Sequence, residues 1–327
     1  MTTIEVVETV EQLRQFQPEW THFVHACPPA TPFQTPEWLV GWWTHLGSGR
    51  LHVLVFRDGA DTTGVLPCFL HEWEGCRQLT LIGAGISDYL DPLFEPRYTG
   101  AILEAIESHL AHEADWEICN WQDLSAGTPL QALGAVSEDT PCGHIALGDS
   151  FEQFLTERPK DLRRNLRRYK AKAELEGRLH FDVTANAEPD LITALIELHG
   201  ARWREIGEVG TIEANRCAAF LRDAATALAR RDMLRIFTVY FQERVAAILL
   251  ALRNPTTIFA YLSAFDPKYE RFGFGRELLA QALRYAHAQR YRGWSFLRGE
   301  EAYKYSWGAE RIPKCRVIIT RPDGEPQ

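Results

Sequence analysis

Three apolar segments follow one another so closely between residues 234 and 263 that they can pair only as an antiparallel sheet. They are Leu234–Phe241, Val245–Leu252 and Thr257–Ser263, separated by three and four residues. A parallel connection needs a dozen residues or more, so these links predict a meander. An amphipathic helix, Arg276–Gln289, and an apolar strand, Trp294–Leu297, come next. This order predicts a mixed α/β sheet and not the strict strand–helix alternation of a doubly wound fold.

The first half of the chain shows the same order of elements. Leu51–Arg57, Thr63–His71 and Gln78–Ile82 predict three meandering strands, followed by a helix over Tyr98–His112 and a strand over Trp116–Trp121. No clear sequence identity accompanies this repeat. The segment 125–139 is small, polar and rich in Gly and Pro, which predicts a connection.

A chain of 327 residues is long enough for two domains, and we predict them at 1–150 and 151–327. Their net charges differ sharply, −16 for the first and +7 for the second, although the whole chain carries −9. The overall negative charge argues against DNA as a partner, whereas the basic half predicts an anionic ligand there. The densest basic stretch, Arg158–Arg178, holds nine Lys and Arg against three acids. A helix with a solvated charged face would explain it equally well.

Several features bear on location. No run of 18 apolar residues exists, which predicts no membrane-spanning helix. The first residues are acidic and lack the basic start of a secretory signal. The seven cysteines form no C-x-x-C pair and are odd in number, which is typical of reduced thiols. We therefore expect a cytoplasmic protein.

The segment 263–276, SAFDPKYERFGFGR, lies between a predicted strand and the amphipathic helix. Gly273 and Gly275 let the backbone approach a ligand, and the N–H groups of a first helical turn attract phosphate. Lys268 and Arg271 add positive charge. The dinucleotide fingerprint G-x-G-x-x-G is absent, because Leu278 takes the place of the third glycine. The segment predicts a phosphate-binding loop, with a plain turn as the alternative.

A second cluster, RGEEAYKYSWG, follows the strand Trp294–Leu297. A tyrosine can serve as a general acid, a glutamate as a base and a lysine as a clamp for an anion. Tyr303, Glu300 and Lys304 are therefore candidate catalytic residues. The alternative is a surface turn anchored by Trp307.

The glycine-rich segment GAGISDYLDP places two acids around an aromatic residue. Asp88, Tyr89 and Asp91 could hold a cationic amine, or they could form a turn that leads into Pro92.

The helix that ends in HGARW carries His199 and Arg202 three residues apart, on one face, with Trp203 beside them. His199 is a possible base. A histidine near a helix C-terminus is also favourable without any catalytic role.

The remaining histidines do not match a metal-binding motif. His22, His25 and Cys27 lie close together, and His109 and His112 share a helix face, but neither set has the acids or cysteines of a known motif. The sequence predicts no metal site.

The second half, from about Asp161 to Gly308, resembles the Gcn5-related N-acetyltransferase (GNAT) superfamily, in particular its FemAB-like and CelD-like acyltransferases. The resemblance rests on the segments RRNLRRYKAKAELEG, LHGARW, LRIFTVYFQERVAAILLAL, YLSAFDPKYERFGFGRELL and FLRGEEAYKYSWG. In the first half, FQTPEWLVGWW and GISDYLDPL resemble CelD-like proteins. The likeness implies an α/β fold of two tandem GNAT-like domains, with the acyl donor bound by the second.

The same resemblance implies coenzyme A or acyl-CoA as co-substrate and no metal. The pantetheine would follow a splayed strand, Thr257–Ser263, and the pyrophosphate would meet Arg271–Gly275. The implied donor-binding residues are Leu262, Ser263, Ala264, Arg271, Phe272, Gly273, Phe274, Gly275 and Arg276. One position departs from the family, because Glu270 stands where its phosphate loop carries Gln or Arg.

The chemistry implied is acylation of an amine by direct attack, without a covalent enzyme intermediate. Tyr303 would act as acid or oxyanion donor, Glu300 as base through a water, and Lys304 with Arg298 as an anion clamp. The residues expected on the acceptor side are Asp88, Tyr89, Asp91, His199, Arg202, Trp203, Tyr261 and Arg298.

Three functions therefore stay open. The first is an acyl-CoA-dependent N-acyltransferase that acts on a small amine, an amino sugar or a sugar-nucleotide. The second is a FemAB-type transferase that uses aminoacyl-tRNA, bound through the helix cations Arg163, Arg164, Arg167, Arg168, Lys170 and Lys172. The third is a non-catalytic binding protein with a degenerate donor site, for which Glu270 is the main support.

Overall fold

The structure is a computed structural model that describes residues 2–27, 30–205 and 215–321, without the side chains of residues 26 and 202–205. The chain divides into two compact units. The first comprises Met1–Thr140 with Pro313–Gln327, and the second comprises Pro141–Ile312. Among the described helices, none is long and apolar enough to cross a membrane.

Each unit contains both strands and helices. The strands are β1 (Thr3–Val7), β2 (Arg50–Asp58), β3 (Asp61–Trp73), β4 (Cys76–Leu81), β5 (Leu93–Phe94), β6 (Ile118–Ser125), β7 (Ala135–Ala146), β8 (Leu179–Thr184), β9 (Leu234–Phe241), β10 (Arg244–Arg253), β11 (Thr257–Phe265), β12 (Gly293–Arg298) and β13 (Glu310–Thr320). The helices are α1 (Val10–Ala26), α2 (Pro36–Leu46), α3 (Thr99–His112), α4 (Phe151–Thr156), α5 (Lys160–Glu176), α6 (Pro189–Glu205), α7 (Asn215–Ala229), α8 (Phe274–Ala288) and α9 (Ala302–Ser306).

The first unit contains an antiparallel meander of β1, β2, β3 and β4. The sheet then continues with β6, which lies parallel to β4, and with residues 314–320 of β13, which lie antiparallel to β6. The helix α3 connects β4 to β6 and buries Ile102, Ile106 and Leu110. Their spacing of four residues places them on one face of that helix.

The second unit repeats this arrangement with β8, β9, β10 and β11 in antiparallel order. The strand β12 lies parallel to β11, and residues 142–146 of β7 lie antiparallel to β12. The helix α8 connects β11 to β12. Its apolar side chains at 278, 279, 282, 283 and 286 are buried in the core of this unit.

These sheets confirm the predicted fold class, a mixed α/β sheet in two units with the same order of strands. The predicted division at residue 150 differs from the observed units, because residues 313–327 belong to the first one. The reason is the last strand, which pairs with β6 from Ile118 to Ser125. The pairing of two strands that lie far apart in the sequence leaves no signal in composition or charge.

A few elements differ from the sequence-based expectation. The segment 125–139, expected as a connection, contains the start of β7, whose residues 135–138 are exposed and carry little hydrophobic alternation. The short helices α4 and α9 were not expected. Pro189 is the first residue of α6. That position suits proline, because the first N–H of a helix has no partner within it.

Candidate active site

The parallel strands β11 and β12 stay paired over only three positions, from Thr257 opposite Gly293 to Phe259 opposite Ser295. Beyond Phe259, β11 continues to Phe265 and remains paired with β10 on its other side. Over the same distance β12 stays paired with β7. The two strands therefore diverge toward their C-terminal ends. The edge of β11 that faces away from β10 offers backbone donors and acceptors to an extended ligand.

Irregularities in both strands accompany this divergence. The register between β10 and β11 shifts between Leu250 and Ala251, and that between β12 and β7 shifts between Ser295 and Leu297. Bulges bend a strand and increase its twist. Leu297 also has a φ of 61°, which a non-glycine residue rarely adopts, and its N–H donates to Ser295 Oγ at 3.1 Å. Such backbone strain tends to collect at functional sites.

A tight turn leads from β11 into α8. The Asp266 side chain accepts from the Lys268 N–H at 3.0 Å and begins a 3-10 turn over Pro267–Phe272. Gly273 ends this turn with a φ of 61°, in the left-handed region that glycine adopts at no cost, and α8 starts at the next residue. The first N–H groups of α8 therefore point out of its N-terminus, where they attract an anion.

Gly275 lies in the first turn of α8 and is exposed. A Cβ atom placed there would lie 3.6 Å from Cδ1 of Phe265, which is an ordinary contact. A Cβ atom on Gly273 would approach Cδ2 of Tyr169 to 3.2 Å. The two glycines therefore differ, since Gly275 has room for a side chain, whereas Gly273 is confined by its positive φ and by Tyr169.

Not every residue predicted to contact the donor presents its side chain. Phe272 and Phe274 are buried, stack on each other at 5.4 Å and pack against Phe241. Ala264 is also buried. Because these three side chains are buried, the prediction that they contact the donor is corrected: only their backbone atoms are available to it. Ser263 is exposed, and Leu262 is partly exposed.

Positive charge surrounds this turn. The Arg271 guanidinium lies over the Phe272 ring at 4.7 Å and forms an ion pair with Glu176 at 2.6 Å. Arg276 lies over Tyr169 of α5, and Arg168, with Arg276, lowers the pKa of the Tyr169 hydroxyl. The basic helix α5 therefore lies directly beside the turn, where an anionic ligand of this half is predicted to bind.

Lys304 is not placed as an anion clamp. Its side chain is 3% exposed, and its ammonium donates to the carbonyl oxygens of Arg298 at 2.6 Å, Gly299 at 3.2 Å and Leu297 at 3.4 Å. Glu301 lies 2.8 Å away. All three protons of the ammonium are accounted for, so Lys304 holds the end of β12 and the start of α9 together.

Tyr303 lies on α9 and is half exposed, with its ring edge-on to Phe296 of β12 at 5.9 Å. Glu300 is exposed and accepts from Tyr305 Oη at 3.5 Å and from Arg311 Nε at 3.4 Å. Desolvation and the Glu300 carboxylate raise the pKa of Tyr305. Tyr305 was not among the predicted residues, although it stands two positions after Tyr303. The end of β12 therefore brings the Tyr305 phenol and the Glu300 carboxylate together.

Two of the remaining predicted residues of this unit lie on neighbouring elements. Tyr261, on β11, and His199, on α6, are both partly exposed. The side chains of Arg202 and Trp203 lie outside the described residues. The structure therefore leaves the predicted roles of these four residues untested.

In the first unit, the predicted cation site surrounds a lysine of the chain itself. The Lys314 ammonium is 1% exposed, lies 4.1 Å from the centroid of the Tyr89 ring and 3.8 Å from Asp91 Oδ2, and has no hydrogen-bond partner among the described residues. Asp91 also accepts from Ser125 N at 2.9 Å and Ser125 Oγ at 2.7 Å, and Asp88 is buried. These contacts do not fit an acceptor amine bound there. Lys314 was missed because it lies more than 200 residues from Asp91 along the chain.

Residues 160–305 match the model of the acetyltransferase (GNAT) domain family. This match confirms the predicted resemblance to GNAT acyltransferases and the predicted class of enzyme, an N-acyltransferase. A search of curated protein sequences found no match.

Solved structures with the same fold cover nearly the whole chain. A structure of FemX is 11% identical, with a TM-score of 0.67 over 98% of both chains. The C-terminal domain of a putative lysylphosphatidylglycerol synthetase from Agrobacterium fabrum is 10% identical, with a TM-score of 0.59 over 96% of this chain and 94% of that one. A tandem GNAT protein from the clavulanic acid biosynthesis pathway is 16% identical, with a TM-score of 0.51 over 99% of this chain and all of the other. At such identities the likeness shows the fold.

Proposed function

Because residues 160–305 form an acetyltransferase domain of the GNAT type, we propose that the protein transfers an acyl group from acyl-CoA to the amine of a small molecule, an amino sugar or a sugar-nucleotide. The observation that carries this proposal is the divergence of β11 and β12 next to the N-terminus of α8. The acyl donor binds there, in the second unit.

Each part of the donor has a chemical counterpart along this path. The pantetheine amides hydrogen-bond to the edge of β11 beyond Phe259, as an added strand would. The pyrophosphate lies at the N-terminus of α8, where backbone N–H groups and the helix dipole favour negative charge. Arg271 and Arg276 supply the cations. Glu270 does not remove these backbone groups, so its departure from the family pattern is compatible with binding.

Catalysis consists of aligning the amine with the thioester and moving one proton. Holding both reactants in line can contribute about 7–11 kcal/mol to the lowering of the barrier. The amine attacks the thioester carbonyl directly, its proton leaves through a water to Glu300, and Tyr303 donates to the oxyanion or to the departing thiolate. Lys304 acts as a positioning residue, because its contacts to three carbonyl groups hold α9 and thereby Tyr303.

Calorimetric titration of coenzyme A and acetyl-CoA into the wild-type chain and two Gly275 variants tests the donor. The space at Gly275 lets Gly275→Ala fold and bind. Gly275→Asp places a carboxylate where the pyrophosphate lies, and we expect a loss of affinity on the order of a hundredfold. An aspartate in the first helical turn is favourable for the helix itself, so the loss is not a folding defect. Equal affinity of both variants, or no binding by the wild type, would overturn the proposal.

One observation favours a second candidate, a transferase that uses aminoacyl-tRNA. Helix α5, which carries these cations, lies beside the same turn, as the contact of Arg276 with Tyr169 indicates, and the fold of FemX agrees with this function equally well. A bulk tRNA titration at two salt concentrations distinguishes the two. Affinity that falls steeply with salt, together with no binding of coenzyme A, would favour this candidate.

The location of the enzyme is part of the same proposal. All seven cysteines are free thiols. A reducing compartment such as the cytoplasm keeps them so, and it also supplies acyl-CoA. The acceptor is a small molecule that reaches the exposed face of Tyr303.

A further inference from the structure

Two histidines meet within the first unit, away from the residues discussed above. His52 lies on β2 and is fully buried, and His109 lies in the last turn of α3. Their Nε2 atoms are 2.8 Å apart, and their ring centroids are 5.1 Å apart. Both rings therefore direct the same nitrogen at a common point between the strand and the helix.

A carboxylate completes this group. Glu113 is the C-cap residue that follows α3, four positions after His109, and so lies on the same side of the helix. One oxygen of Glu113 and one nitrogen of each histidine lie within 4.8 Å of one another. The Asp115 N–H donates to Glu113 Oε1 at 3.2 Å, and Arg50 Nη2 lies 4.0 Å from the same oxygen. These contacts orient the carboxylate, as the outer contacts of metal ligands do.

We propose that His52, His109 and Glu113 bind one zinc ion, with water as the fourth ligand. Two imidazoles and one carboxylate form a donor set that zinc favours, in tetrahedral geometry. Zinc–nitrogen bonds of about 2.0–2.1 Å place two such nitrogens about 3.3 Å apart, so the observed pair needs to open by about half an ångström. A hydrogen bond between the two rings would explain the contact without any ion.

The ion would have a structural role. It would join the sheet, through β2, to the C-terminal end of α3, which is the helix that connects the parallel strands β4 and β6.

The sequence pattern paired His109 with a different histidine. His112 shares the helix face, but its Nδ1 contacts Ser108 O at 2.7 Å and its side chain is exposed. His52 stands more than 50 residues earlier on a strand. Only the packing of α3 on β2 brings the three ligands together.

Titration of the chelator-treated full chain with zinc, followed by calorimetry, tests the site, and cobalt titration reports its geometry through visible absorption. We expect one ion per chain, a rise in the melting temperature with zinc, and the intense absorption of four-coordinate cobalt. His109→Ala removes one ligand at a half-buried position and should weaken zinc binding by tenfold or more.

Matched variants separate the site from other effects. His112→Ala, three positions further along the same helix, should bind zinc like the wild type. If His109→Ala does not fold, Glu113→Gln replaces a partly exposed ligand with a neutral side chain of the same size and should weaken binding to a similar extent. Absence of zinc binding by the wild-type chain, or undiminished affinity in the ligand variant that folds, would overturn the proposal in favour of a hydrogen bond alone.

Discussion

The two units share a framework, and they differ in what occupies the gap between their parallel strands. In the first unit β4 and β6 pair over three positions, from Gln78 opposite Ile118 to Thr80 opposite Asn120, as β11 and β12 do in the second. Beyond the point where the parallel strands separate, β6 and β12 each contain a non-glycine residue with positive φ, which is Asp123 at 57° in β6 and Leu297 at 61° in β12. The repeat predicted from element order therefore extends to backbone detail.

The segment after the first parallel strand accounts for the difference. In the second unit β11 passes through one short turn into α8. In the first unit the longer segment 82–98 comes between β4 and α3, and it hydrogen-bonds to β6 where β4 has left that strand. The Leu90 N–H donates to Asp123 O at 3.0 Å, and Asp91 accepts from Ser125. The chain itself thus takes up in the first unit the place that we assign to a donor in the second.

The largest expected effect tests this asymmetry directly. Gly100 and Gly275 occupy the same position in the first turn of α3 and α8, both are exposed, and both have room for a Cβ. We expect Gly275→Asp to weaken coenzyme A binding on the order of a hundredfold and Gly100→Asp to leave it unchanged. The calorimetric stoichiometry should be one donor per chain. Two donors per chain, or a comparable loss in Gly100→Asp, would contradict a single donor site.

The buried lysines give the next comparison, since the Lys314 ammonium has an ion pair with Asp91 and no hydrogen bond among the described residues, whereas the Lys304 ammonium has carbonyl acceptors as well as an ion pair with Glu301. Asp91→Asn removes the carboxylate nearest to a buried ammonium, and we expect it to lower the free energy of unfolding by about 3 kcal/mol. The double variant with Lys314→Met should recover most of that loss, because the unpaired charge is gone. Urea unfolding measures both, and an additive double variant would show that the pair does not interact.

Lys304→Met should lower the free energy of unfolding by about 2 kcal/mol, because three carbonyl groups lose their donor. We also expect a lower kcat with little change in KM for acyl-CoA, since Lys304 holds Tyr303 and does not contact the donor. Urea unfolding and steady-state kinetics measure the two effects. A variant with wild-type stability would contradict the role of Lys304 as a structural donor at the end of β12.

The smallest effect concerns pH. Hydrogen bonding to Arg57 lowers the pKa of Glu19 from its ordinary 4.5 in the first unit, and hydrogen bonding to Arg235 lowers that of Asp232 from 3.8 in the second. A carboxyl group with a depressed pKa stabilises the fold above its ordinary pKa, and this stability disappears as the pH falls through the folded value. Both side chains are more than a third exposed, so each contributes below about 1 kcal/mol.

The free energy of unfolding, measured from pH 6 downward, checks this prediction. Glu19→Gln should flatten the decline from about pH 5 downward, and Asp232→Asn should flatten it only at lower pH. If the free energy of unfolding depended on pH in the same way for both variants, the prediction that the two carboxylates titrate over different pH ranges would be wrong.

Much of the framework could be predicted because it depends on local signals. The meander followed from short links between apolar segments, and the turn into α8 followed from Gly273 and Gly275. Within the site, the roles of Tyr303 and Glu300 and the phosphate-binding loop stay predictions, whereas the predicted role of Lys304 as an anion clamp is wrong, because its side chain is buried. A lysine within RGEEAYKYSWG carries no sign that its ammonium points inward to three carbonyl groups.

An exposed strand without alternation, and the pairing of strands distant in sequence, could not be predicted. The exposed start of β7 lacks alternation, so nothing in its composition indicates a strand. The last strand joins β6 because hydrogen bonds between strands connect any two segments that the sheet brings side by side.

The sequence by itself determined the order of strands and helices, the repeat of that order, and the concentration of positive charge beside one glycine-containing turn. Each of these depends on spacing, turn chemistry or charge within a few dozen residues. Only the tertiary structure decided that Lys314 lies against Asp91, that His52 meets His109, and that one gap between parallel strands is filled by the chain while the other is bordered by an exposed turn. Those contacts join residues tens to hundreds of positions apart, and they arise from the packing of whole elements, to which no local pattern is sensitive.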